Sequence, residues 1–117
     1  MKIENARIID VKAVRSGEFK FDDKHKMIFT MVLETEWGNK KIEFDISQHD
    51  GMQRLIQILI FTNSYQLQDT IEHVIRIVVE NDKIIAIGDP IKNSCFNVKG
   101  DFAKNSFEVI INKTLKN

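Results

Sequence analysis

The chain has a single cysteine, Cys95, so it has no partner for an intrachain disulfide and must be held together by packing alone. Proline occurs once, at Pro90, and glycine five times, and no stretch resembles a linker, a repeat or a low-complexity segment. No run approaches the roughly 18 to 20 apolar residues that span a bilayer, and Met1-Lys2-Ile3-Glu4-Asn5 lacks the apolar core of a signal peptide. Neither sign of charge dominates. Seventeen basic residues oppose seventeen acidic ones for a formal net charge of zero, without a sustained block of either. A protein that holds DNA mainly through its phosphates shows a basic stripe, so nucleic acid is the less favoured partner. These absences describe a soluble cytoplasmic chain that makes no use of a membrane.

What is present suffices for one core. At 117 residues and 43% apolar composition, the chain is expected to fold as a single domain, residues 1–117. Ile3 to Val14 reads as a strand ended by Ser16-Gly17, and Asp22-Asp23-Lys24 as an exposed loop. Met27 to Leu33 and Lys41 to Ile46 read as a hairpin about a Gly38-Asn39 turn. That register sets Thr35 opposite Ile42, Leu33 opposite Phe44 and Met31 opposite Ile46 on an apolar side. On the polar side it sets Glu36 opposite Lys41, Glu34 opposite Glu43 and Val32 opposite Asp45.

Met52, Leu55, Ile56, Leu59 and Ile60 then recur at helical spacing as one apolar stripe, with Asp50 placed as the N-cap. Ser64 to Thr70 is polar and suits a short helical turn. His73 to Val79 and Lys83 to Ile87 form a second hairpin about Asn81-Asp82, and Phe107 to Leu115 reads as a last strand. The expected fold class is α+β: an antiparallel sheet of about five to six strands, ordered β-β-β-α-β-β-β, with one helix packed across its concave face.

Residue patterns that carry chemistry are thin. His25, His49 and His73 stand apart, and Asp45, His49 and Asp50 lack the spacing of a metal site. Cys95 has no catalytic signature about it, no serine sits in a Gly-x-Ser-x-Gly elbow, and no glycine pattern makes a phosphate loop. The expectation is therefore no catalytic residue, no metal and no cofactor. Trp37, at a hairpin corner, is either a cap on the core or an anchor for a partner, and Phe19 and Phe21 are either core residues or an exposed lip.

The segment Arg76 to Phe96, "RIVVENDKIIAIGDPIKNSCF", resembles the C-terminal part of a family of small uncharacterised phage and prophage proteins. Those proteins carry a strand beginning with Arg-Val, then a segment close to Ile-Ala-Ile-Gly-His-Pro-Ile-Lys-Asp, then an aromatic pair. Here the matching residues are Arg76, Ile85-Ala86-Ile87-Gly88, Pro90-Ile91-Lys92 and Phe96. Asp89 replaces the usual histidine and Cys95 a frequent tryptophan, the N-terminal hairpin lacks a Gly-rich segment, and Phe107 onward looks like an addition. The local reading of the same residues is a buried strand, a break at Gly88, a turn fixed by Pro90, and Phe96 folded back onto the sheet.

The resemblance implies a phage- or prophage-encoded, non-enzymatic protein of the host bacterial cytoplasm that inhibits a host protein, such as a CRISPR-type defence nuclease complex, as monomer or homodimer. Its contacts are expected at Trp37, Phe21 and the Phe19 to Lys26 loop, and along the acidic residues Glu34, Glu36, Glu43 and Asp45. The alternative is a phage accessory protein that binds nucleic acid or nucleotide through Lys92, Lys99, Lys104 and exposed aromatics.

Overall fold

The computed structural model describes residues 1–16 and 26–115. Seven strands form one antiparallel sheet: β1 (Lys2–Ser16), β2 (Lys26–Thr35), β3 (Gly38–Asp45), β4 (Val74–Glu80), β5 (Lys83–Gly88), β6 (Cys95–Asn97) and β7 (Lys104–Asn105). Their order across the sheet is β3-β2-β1-β4-β5-β6-β7. Helix α1 (His49–Phe61) and a 3-10 turn (Leu67–Thr70) link β3 to β4, and helix α2 (Phe107–Leu115) ends the described chain. The fold is α+β as expected, with one long helix between the third and fourth strands. The seven strands described exceed the expected five to six, because short β6 and β7 form in the stretch read from sequence as a loop.

The sheet is strongly curled. Four strands separate β3 from β6 in the sheet order, yet the rings of Phe44 and Phe96 lie 6.2 Å apart. Phe96 also meets Phe61 of α1 at 6.0 Å and Phe102 at 6.1 Å, and Phe44 stacks on Phe29 at 6.3 Å. These rings join Ile8, Met31, Leu33, Ile58, Ile75, Ile77 and Ile87 in a core between the concave face and α1. The opposite face has a smaller cluster of Val78, Ala86, Cys95 and Phe107. Phe96 is fully buried and pairs with Ile87 across β5 and β6, so Ile84 to Gly100 begins as the strand and turn that its sequence suggests.

Three local expectations are corrected. The first hairpin turns at Glu36-Trp37, since Thr35 pairs with Gly38, Met31 with Ile42 and Phe29 with Phe44. Gly38, at φ 106°, serves as the left-handed residue after the turn. The Thr35 hydroxyl supports that turn by donating to Gly38 O at 2.6 Å and accepting from Trp37 N–H at 3.3 Å. The pairing moves by an even number of residues, so each side chain keeps its expected face. Glu34 is therefore opposite Asn39, Glu43 opposite Thr30 and Lys41 opposite Val32, not in the expected pairs.

The second correction is a rotation of α1. Leu55, Ile58, Phe61, Arg54 and Gln57 are buried, while Met52, Ile56 and Ile60 are exposed. Arg54 reaches under the loop after β6, donating from Nε to Asn97 O at 2.9 Å and from a terminal nitrogen to Gly100 O. Those bonds and the Phe61–Phe96 stack turn the helix away from its simplest hydrophobic orientation. The N-cap is Gln48, with Asp50 in the first turn.

The third correction concerns Phe107 to Leu115, which is helical. Ser106 Oγ accepts from Val109 N–H at 3.1 Å, and Asn93 Oδ1 accepts from Glu108 N–H at 3.3 Å. These side chains satisfy two amides of the first turn, which a β-branched reading of Val-Ile-Ile overlooks. The second hairpin agrees with its sequence: Asn81 and Asp82 have φ of 52° and 62°, the paired left-handed values of a tight two-residue turn.

Candidate functional site

One end of the curled sheet carries the N-terminus, the Glu36-Trp37 turn and the Asn81-Asp82 turn. Curling brings the two hairpins towards each other, and between them and the Val98-Lys99 segment lies a cleft of ≈ 370 Å³. Trp37, Ile42, Ile84 and Val98 provide its apolar surface. Lys40, Lys41, Lys83 and Lys99 supply four cations, against two acids, Glu43 and Asp82. The volume lies in the range of small-ligand sites.

The four lysines differ in their freedom. Lys40 Nζ sits 4.8 Å from the centroid of the Trp37 ring, which holds an ammonium at the cleft wall. Lys41 forms an ion pair with Glu43 at 3.1 Å. Lys83 and Lys99 are exposed, and their ammonium groups have no hydrogen-bond or ion-pair partner among the described residues. The cleft thus presents uncommitted positive charge above an apolar floor.

The residues singled out from sequence are scattered by comparison. Trp37 and Glu43 line the cleft. Glu34 accepts from Arg7 at 3.1 Å, and Arg7 also binds Glu72. Glu36 accepts from Lys2 at 2.7 Å. Asp45 Oδ1 accepts from Ser47 N–H at 3.1 Å and from the Ser47 hydroxyl, at the entry to α1. The acidic residues are held in separate local bonds and do not form one open ledge. Phe19, Phe21 and His25 lie outside the described residues.

The carboxylates raise the pKa of both cations beyond its ordinary value: Glu34 chiefly, then Glu72, for Arg7, and the Glu36 hydrogen bond chiefly for Lys2. Lys2 has a second neighbour that sequence reading missed. Glu4 is buried on the concave side of β1, and Lys2 Nζ stands 3.3 Å from its Oε2 without the alignment of a hydrogen bond.

Cys95 is buried on the opposite face of the sheet, where loss of water pushes its thiol up to about 11. His49 and His73 are exposed, and no group of three or more His, Cys, Asp or Glu that could hold a metal occurs among the described residues. No described helix is long and apolar enough to cross a membrane.

The segment that carries the phage resemblance forms a single structural knot. Arg76 donates from Nε to Asp89 O at 2.8 Å and also to Lys92 O, while its guanidinium lies 4.4 Å from the centroid of the Phe107 ring. Asp89 Oδ1 accepts from the amides of Ile91, at 2.8 Å, and Lys92, at 3.0 Å. Arg76, Asp89 and the Pro90 turn therefore fix one another's geometry. No family model, curated protein or solved structure matches the chain.

Sequence reading named Trp37, Glu43 and Lys99 as candidate contacts and missed the other cleft residues, among them Lys40, Lys41, Lys83, Ile84 and Val98. Their one available signal was lysine close after each of two hairpin turns, at Lys40-Lys41 and at Lys83. That signal becomes a site only once the curl of the sheet sets the turns beside each other.

Proposed function

We propose that this is a binding protein that acts without catalysis, and that the lysine-rimmed cleft at Trp37 is its contact site. The observation that carries this reading is that Lys83 and Lys99, both without a partner among the described residues, flank an apolar floor containing the only tryptophan of the chain. Trp37 is half-buried and packs against the core, and aromatics seated within a charged rim are common anchors of protein interfaces. The Arg76–Phe96 resemblance supports a phage or prophage setting, in which the partner is a host protein in the bacterial cytoplasm, such as a component of anti-phage defence. Binding would then inhibit by occlusion, through an acidic surface of the target.

A second reading, nucleic-acid or nucleotide binding, is favoured specifically by Lys99 and the lysine rim. The two readings separate in one experiment. Tagged protein is captured from a bacterial lysate with and without nuclease treatment, at low and high salt, and compared with a Lys83→Glu/Lys99→Glu variant. A stoichiometric protein that survives nuclease and is lost with the variant supports the first reading. Nucleic acid recovered with a steep salt dependence supports the second. Equal capture by wild type and variant would remove the cleft from either account.

A further inference from the structure

The cleft is bounded by strand edges, not by one face of the sheet. Successive residues of a strand point to opposite faces, yet Lys40, Lys41, Ile42 and Glu43 all line it. That pattern fits a wall formed by the strand edge itself. β3 is the terminal strand of the sheet and pairs with β2 alone. Ile46 N–H donates to Met27 O at 2.8 Å, so by antiparallel alternation the amides and carbonyls of Lys41 and Glu43 point away from β2. Neither residue makes a backbone hydrogen bond on that side among the described residues.

The opposite wall is similar. β6 pairs with β5 only at Ala86, Ile87 and Gly88, and Val98 N–H makes one further bond to Ile85 O at 3.2 Å. Upstream of Ile85, Lys83 and Ile84 pair with β4 on one side, and on the side away from β4 they have no ladder partner among the described residues. A smaller adjoining hollow of ≈ 120 Å³ is lined by both Ile84 and Ile85, whose side chains belong to opposite faces of the sheet. Two unpaired edges of one curled sheet thus flank the same gap.

From this arrangement we infer that the cleft accepts an extended acidic segment of a partner protein by strand addition. The inference rests on the proposed function and names the chemistry of the partner. Exposed edge amides template main-chain pairing, and side-chain pockets select the sequence. Main-chain groups of the segment pair with Lys41 and Glu43, its apolar side chains meet Trp37, Ile42, Ile84 and Val98, and its carboxylates meet Lys83 and Lys99. The lysine rim makes the addition selective: a neutral or basic strand would leave those cations uncompensated at a shared edge.

The test is a display selection of random peptides of about twelve residues on the full chain, followed by calorimetry on the enriched sequences. Expected are acidic peptides with alternating apolar residues. Methylating their alternate backbone nitrogens should weaken them by about tenfold or more, through loss of main-chain hydrogen bonds. Lys83→Glu/Lys99→Glu should weaken them to a similar degree, and amide exchange at Lys41 and Glu43 should slow in the complex. Enrichment of basic or patternless peptides, or indifference to backbone methylation, overturns strand addition while leaving the lysate result on the cleft intact. A dimer of the chain that fills the gap, detected by sedimentation, or an oligonucleotide as the sole ligand also overturns it.

Discussion

Arg54 Nε lies 2.9 Å from the carbonyl oxygen of Asn97, and this one bond ties the middle of α1 to the end of β6. The same guanidinium binds Gly100 O, so both carbonyls flanking Val98 and Lys99 are fixed from beneath. This buried cation has no carboxylate partner among the described residues. It is satisfied by main-chain oxygens, and the position of Lys99 at the cleft depends on them.

Replacing Arg54 with Met should cost about 1–3 kcal/mol in chemical denaturation, because two carbonyls lose their donor. Local effects should be larger than global ones. Amide exchange from Val98 to Gly100 is expected to rise even where the rest of the chain keeps its protection.

The rotation of α1 predicts opposite outcomes for two isoleucines. Ile58→Ala should destabilise by about 2–5 kcal/mol, since the side chain is fully buried. Ile60→Lys should change stability by no more than about 0.5 kcal/mol, since the residue is 60% exposed. Equal losses at the two positions would contradict the observed helix orientation.

Legibility from sequence followed the range of the forces involved. The Asn81-Asp82 turn, the faces of the first hairpin and the burial of Phe96 are set by neighbours along the chain or by strict alternation, and reading them required nothing distant. The stripe from Met52 to Ile60 misled because Arg54 and Phe61 answer to residues about forty positions away, at Asn97 and Phe96. Phe107 to Leu115 misled because its β-branched residues suggest a strand, whereas Ser106 and Asn93 cap it as a helix. The cleft was illegible for the same reason. Lys40 and Lys83 are distant in sequence, and only the curl of the sheet sets them about one gap.

Gly88 should not tolerate a methyl group. A Cβ there would overlap Phe107 Cζ and Ser94 O and stand 2.7 Å from Cys95 Cβ. Gly88→Ala is expected to cost about 1–3 kcal/mol by overpacking, measured by thermal or denaturant unfolding. It should also loosen α2, because Phe107 is the buried residue that seats that helix.

Cys95 gives a pH dependence of definite sign. Its folded-state value, about 11, lies above the ordinary 9.0, so folding favours the neutral thiol. That contribution is complete below pH 9 and is lost as pH rises towards 11. Stability should therefore fall over that alkaline window, and the Cys95→Ala variant should lack this component of the fall. A thiol reagent at pH 8 should label the native protein slowly and the unfolded chain rapidly.

The contact site is tested most directly by measuring capture of the host partner by three forms of the full chain: wild type, Lys83→Glu/Lys99→Glu, and Lys12→Glu as an exposed control away from the cleft. The proposed function predicts that wild type and the control retain the partner equally. The double variant should lose it by about tenfold or more while unfolding at an unchanged denaturant midpoint. Retention by the double variant at wild-type level would contradict the cleft as the contact site.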